Sequence, residues 1–191
     1  MEQVVSNNIN NRINPQKFAL WVGMASIIMM FGAFTSAYIV KQAAGGWLEF
    51  SFPPQFYISS FLIILSSVTL HSSYRSFKGA KEGSYKLNLY FTLLLGLMFI
   101  VFQTLGWSEL FARGIDFRAN VSGSFFYLIT GIHAVHVLAG IAALFIACIH
   151  AYTLKFSITP SRLNRFQLTT NYWHFMGALW VYIFLFLTFV K

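Results

Sequence analysis

Every one of the eighteen charged side chains in this 191-residue chain lies outside five long apolar runs. The runs are Phe18–Val40, Phe50–Tyr74, Leu87–Ser108, Ala119–Leu154 and Phe166–Val190. Each can hold the roughly 20 residues that a helix needs to cross a bilayer core of about 30 Å. Backbone amides cannot go unpaired in lipid, so runs of this kind fold as helices. The sequence predicts an all-α integral membrane protein with five transmembrane helices in one bundle. The expected spans are approximately 18–40, 55–74, 87–108, 125–150 and 171–190, and 191 residues leave room for a single transmembrane domain covering 1–191. The same pattern limits the chemistry, because no Asp or Glu sits within the runs to relay protons or bind a cation.

Composition agrees. Charged residues are 9% and hydrophobic ones 57% of the chain, against the roughly 25% charged of a soluble domain. The net charge of +8 is read as membrane topology and contact with anionic lipid rather than nucleic-acid binding. With the N-terminus inside, the inner segments Met1–Lys17, Arg75–Lys86 and Lys155–Arg165 hold nine cations. The outer side holds four, namely Lys41, Arg113, Arg118 and Lys191. That imbalance predicts an N-in, C-out bundle. The first seventeen residues are polar and Asn-rich, and the first apolar run is too long for a signal-peptide core, so it is kept as the first helix.

The one cysteine, Cys148, has no second cysteine to pair with, so neither a disulfide nor a thiolate metal centre is expected from this chain. Gly45-Gly46 and Pro53-Pro54 end the first span and start the second. Trp21 and Trp173 near inner boundaries, and Trp47 and Trp107 near outer ones, read as interfacial aromatic belts. Helices in lipid associate by close packing and a few hydrogen bonds, so small and polar residues at helical spacing mark expected interior faces. These are Gly23, Ser26, Met30, Ala33 and Ala37 in span one, and Ser59, Ser60, Ser66 and Ser67 in span two. Span three offers Thr92, Gly96, Phe99, Gln103 and Gly106, and span four His133, His136, Gly140, Ala143 and Ala147.

His133, His136 and His174 lie within or at the edge of apolar runs, where an unpaired polar group costs at least a few kcal/mol. Three readings compete: hydrogen bonding between helices, ligation of haem iron or another metal, and proton transfer. His133 and His136 share roughly one helix face, so a bis-histidine haem would need a partner from another helix. His71, near the inner end of span two, is closer in depth to His174 and keeps that alternative open.

Spans four and five carry a more specific signal. Residues 125–141 read FFYLITGIHAVHVLAGI, and residues 171–180 read NYWHFMGALW. Together these resemble the signature helices of subunit III of haem-copper oxidases of the cytochrome c oxidase type. Span one, with KFALWVGMAS and TSAYIV, and span three, with TLLLGLMFIVFQTLGW, are similar to helices of the short, five-helix bacterial form. The resemblance covers all five spans in order.

It implies an accessory subunit of a proton-translocating oxidase in aerobic respiration, in the bacterial cytoplasmic (inner) membrane. Such a subunit packs mainly on subunit I, meets subunit II, and has no redox centre of its own; haem and copper belong to the partners. It holds phospholipid, and the complex can join a respiratory supercomplex. His133, His136, Trp173, His174 and Gln103 fall on the family's motif positions, and the resemblance gives them lipid or interhelical hydrogen-bonding roles, with no catalytic or metal-ligating residue. Two positions depart from the family's pattern: Ile27 stands where a membrane glutamate is common, and Gly177 where an aspartate is common. A quinol oxidase subunit, a nitric oxide reductase accessory protein and a stand-alone b-type cytochrome are the alternatives. A small transporter would be expected to show inverted repeats and broken helices, which this chain does not suggest.

Overall fold

Local chemistry sets most of the helix starts. The computed structural model describes residues 14–118 and 120–190. It holds five helices: α1 (Pro15–Ala43), α2 (Pro54–Lys78), α3 (Glu82–Ala112), α4 (Val121–Thr153) and α5 (Pro160–Phe189). Proline opens α1, α2 and α5, where its missing N–H has no intrahelical partner to lose. Asn14, Asn120 and Thr159 cap α1, α4 and α5 by accepting the backbone N–H groups of Gln16 (3.0 Å), Ser122 (2.8 Å) and Arg162 (3.3 Å). Gly45 and Gly46, both at positive φ (89° and 71°), turn the chain after α1. The expected inner tail Met1–Lys17, with Arg12, falls largely outside the described residues, as do Ala119 and Lys191.

All five helices are long and apolar enough to cross a membrane, and the chain is a multi-pass membrane protein. Four of these helices outrun their charge-free stretch at one or both ends, whereas α4 lies wholly within Ala119–Leu154. α5 begins at Pro160, well before the apolar stretch, because helix continues through the polar zone that charged residues occupy.

Four helices form a closed ring, with α2 against α3, α3 against α4, α4 against α5 and α5 back against α2. The α2–α3 pair is the tightest. Its buried positions are Phe56, Ser59, Ile63, Ser66, Leu70, Ser73 and Phe77 on α2. On α3 they are Tyr85, Leu89, Thr92, Gly96, Phe99, Gln103, Gly106 and Leu110. Steps of three and four alternate throughout both sets, which is the seam of a left-handed coiled pair. Small residues let the backbones close. A Cβ on Gly106 would lie 2.7 Å from the Phe56 ring. Thr69 and Thr92 hydroxyls meet at 2.8 Å, and Ser73 donates to the Tyr85 carbonyl at 2.9 Å.

Helix α1 is attached differently. Among the described residues its helix contacts are with α4 and α5 alone. It inserts Met24, Phe31, Thr35 and Tyr38, with Thr35 and Tyr182 hydroxyls 3.1 Å apart. Here the sequence expectation is corrected: Gly23, Ser26, Ala33 and Ala37 are exposed and Met30 is only half-buried. Large side chains won the inward face because α1 fills a groove between two helices that are already packed together. A wide groove takes Phe31, not a glycine.

Candidate functional site

Three of the residues singled out by sequence, His133, Trp173 and Gln103, are buried between the helices of the ring. His133 of α4 is fully buried. Its Nε2–H donates to the Met176 carbonyl of α5 at 3.1 Å; a carbonyl can only accept, so the proton sits on Nε2. Rings from three other helices surround it: Phe31 at 6.4 Å, Phe99 at 6.0 Å and Trp180 at 5.1 Å between centroids. Among the described residues its Nδ1 has no hydrogen-bond partner.

His136, one turn on, behaves otherwise. It is half-buried and its Nδ1–H returns to the Ile132 carbonyl of its own helix at 2.8 Å. The interhelical bond at this residue uses backbone instead, since the Tyr172 hydroxyl donates to the His136 carbonyl at 3.0 Å.

Trp173 is the keystone, and its expected place in an interfacial belt is corrected. It is fully buried, thirteen residues into α5, about 20 Å from the helix start at 1.5 Å per residue. The apolar run suggested a boundary there only because it begins later than the helix does. Its Nε1–H donates to Ser66 Oγ of α2 at 3.0 Å. Its ring lies against Gly96 of α3 and Gly140 of α4, where an added Cβ would approach to 2.8 Å and 3.0 Å. One indole therefore ties α5 to all three other helices of the ring. Trp180 repeats the device two turns on, donating to Ser60 Oγ at 2.9 Å. Trp107 is also drawn inward, with its Nε1–H on Thr130 Oγ1 at 3.1 Å. Trp47 packs on Tyr38 with centroids 4.5 Å apart. Only Trp21, 64% exposed, stands free on the surface as a belt residue would.

Gln103 of α3 is fully buried and accepts from Ser59 Oγ of α2 at 3.2 Å, while its Nε2 has no partner among the described residues. His174 stands apart from this core. It is half-buried on α5, and its ring lies 5.9 Å from that of His71 on α2. These two, matched in depth by sequence, are thus neighbours across the α2–α5 groove. Gly177 faces α2: an added Cβ would lie 3.1 Å from Ser67 Oγ.

A second feature gave no signal in the sequence. Between the last turns of α4 and the first turns of α5 lies a half-open cavity of about 230 Å³. Its walls include Phe77, Ala143, Ala147 and Phe156, and Arg162 and Arg165 stand among its lining residues. The two arginines counted for topology alone; their convergence on an apolar hollow depends on how the α4–α5 connection folds back.

Comparison with known proteins falls in line with this geometry. The family described as "Cytochrome c oxidase subunit III" matches residues 53–190, which takes in α2 to α5 whole. The chain is 28% identical over 190 residues to "Cytochrome c oxidase subunit 3" of Corynebacterium diphtheriae, covering 95% of this chain and 91% of that one. It is 24% identical over 187 residues to "Probable quinol oxidase subunit 3" of Staphylococcus saprophyticus, covering 94% and 92%. Matched along most of its length, with the motif residues His133 and Trp173 at the centre of its helix packing, the chain belongs to the cytochrome c oxidase subunit III family and is an accessory component of an oxidase complex.

Proposed function

We propose that this chain serves a proton-translocating cytochrome c oxidase of aerobic respiration as a non-catalytic subunit, in the bacterial cytoplasmic membrane with its N-terminus inside and C-terminus outside. It packs mainly on subunit I, meets subunit II, and retains phospholipid; the electron path runs through haem and copper in those partners. The observation that carries the reading is what the buried polar groups are spent on. His133, Trp173, Trp180 and Gln103 each bond to a neighbouring helix, which is the work of holding a bundle. The exposed small residues of α1 support the packing half of the proposal, because such a stripe lets another membrane helix approach closely.

A quinol oxidase is the second reading, favoured by the relative of that name in Staphylococcus saprophyticus. Isolation of the tagged chain from native membranes in mild detergent tests both. Reduced-minus-oxidised spectra and mass spectrometry of the same sample should reveal a haem-copper oxidase, and the identity of its subunit II decides the electron donor. A lone chain carrying its own haem b would overturn the proposal.

A further inference from the structure

We infer that the helix ring encloses a binding site for one water molecule, which joins Gln103 of α3 to His133 of α4. The inference goes beyond the role proposed above and begins with two buried polar atoms. Gln103 Nε2 and His133 Nδ1 have no hydrogen-bond partner among the described residues, and both side chains are fully buried. In protein interiors such groups are satisfied by protein or by ordered water.

The register of α3 against α4 brings the two side chains level. Trp107 Nε1–H donates to Thr130 Oγ1 at 3.1 Å, and a Cβ on Gly96 would lie 3.6 Å from Ile141 Cγ1. Gly96 to Trp107 is eleven residues, and Ile141 back to Thr130 is eleven too, so the helices run antiparallel in step. Gln103 comes four residues before Trp107 and His133 three after Thr130. The mismatch is one residue, about 1.5 Å of helix rise. Phe99, one turn before Gln103, already packs on the imidazole, with ring centroids 6.0 Å apart. The two groups do not bond to each other, because each is anchored at its other end. Gln103 Oε1 accepts from Ser59 Oγ at 3.2 Å, and His133 Nε2–H donates to the Met176 carbonyl at 3.1 Å.

These atoms specify the ligand. The amide N–H groups of Gln103 donate and repel a cation, whereas Nδ1, with the proton on Nε2, accepts and repels an anion. The ligand is therefore neutral, accepting at one end and donating at the other. Rings of Phe31, Phe99 and Trp180 crowd the imidazole, which restricts the ligand to the smallest such molecule, water. Buried waters make about three hydrogen bonds, and the buried Ser59 hydroxyl beside Gln103 is the acceptor for the third. Bound there, the water donates to Nδ1 and so holds His133 in the tautomer that bonds α5. Gln103 is thus a positioning residue for the motif histidine.

The test is a cryo-electron microscopy map of the purified complex containing this chain, at a resolution that shows ordered water. A peak should stand within about 3.2 Å of both Gln103 Nε2 and His133 Nδ1. Gln103→Met keeps the length of the side chain and removes the donor, so its map should lack the peak. In the same variant the His133 Nδ1 resonance in solid-state nitrogen NMR should move, because that atom has lost its donor. The wild-type map decides alone if the variant does not assemble. A dry contact between the two groups, a direct amide–imidazole bond, or a peak with the short ligand distances of a metal ion overturns the inference. So does a peak that persists in Gln103→Met, or a His133 resonance that stays where it was.

Discussion

Tryptophan 173 shows what a single residue can settle in a lipid-solvated bundle. Apolar burial gives helices no drive to associate there, so contact geometry decides. Gly96 leaves room for the indole edge, and a Cβ at that position would sit 2.8 Å from Trp173 Cη2. Gly96→Leu should therefore lower stability by about 1–3 kcal/mol, the usual cost of overpacking, seen as a drop in the thermal midpoint in detergent. Gly131→Ala is the control, since nothing lies within 4 Å of its added Cβ; it should be neutral or slightly stabilising. The two motif histidines should separate as well. His133→Leu removes an interhelical bond and is expected to cost about 1 kcal/mol, within the range measured for such bonds in membranes. His136→Leu removes a bond to its own helix and should stay within about 0.5 kcal/mol; equal losses at both positions would refute the distinction. At this scale the sequence was half legible. That His133 needs a partner follows from its place in an apolar run. That Trp173 is central does not, because hydropathy marks where charge is absent, and Trp173 lies near the start of such a stretch although deep in its helix.

The helices divide into those whose inward face could be read and one whose face could not. Gln103, Gly96, Gly106 and Thr92 on α3 all point inward as their spacing indicates, since α3 packs backbone to backbone on α2 and small residues are what such a contact requires. α1 carries the same kind of stripe and turns it out. Only 17% of its most apolar stretch is buried, against 39% in α3, α4 and α5. Periodicity identifies a face suited to close packing without saying which neighbour takes it. On this reasoning Gly23→Leu with Ala33→Leu should leave the thermal midpoint of the isolated chain unchanged, because both positions are exposed. Co-purification of the partner subunits should fall several-fold if that face meets another helix of the complex; undiminished recovery would leave the stripe to lipid.

The whole molecule was most legible where the physics is least negotiable. Five charge-free runs in lipid leave no option but helices, and five helices are found. The ring order, the outlying position of α1 and the α4–α5 cavity were not legible, since they depend on contacts between segments far apart in sequence. Orientation rests on the charge count alone. Alkaline phosphatase fused after Phe189 should be active, and fused within the α2–α3 turn inactive; the reverse would invert the topology. Proton handling can be tested at Ile27, the position where the resemblance led to the expectation of a glutamate. Ile27 is half-buried on α1 and packed against the core. Ile27→Glu would introduce the one carboxyl at membrane depth, at a cost of roughly 3 kcal/mol if charged near a helix centre, and so favour its protonated form. A proton path requires successive groups able to accept and pass on the proton. No second acid lies within the apolar runs, and the hydroxyl of Thr35 is already engaged with the Phe31 carbonyl and Tyr182. The substituted complex, reconstituted in vesicles, should therefore move the same number of protons per electron as wild type, measured as external acidification against oxygen consumed. A large change in that ratio would mean that this subunit takes part in proton uptake, and that packing and lipid retention are not the whole of its role.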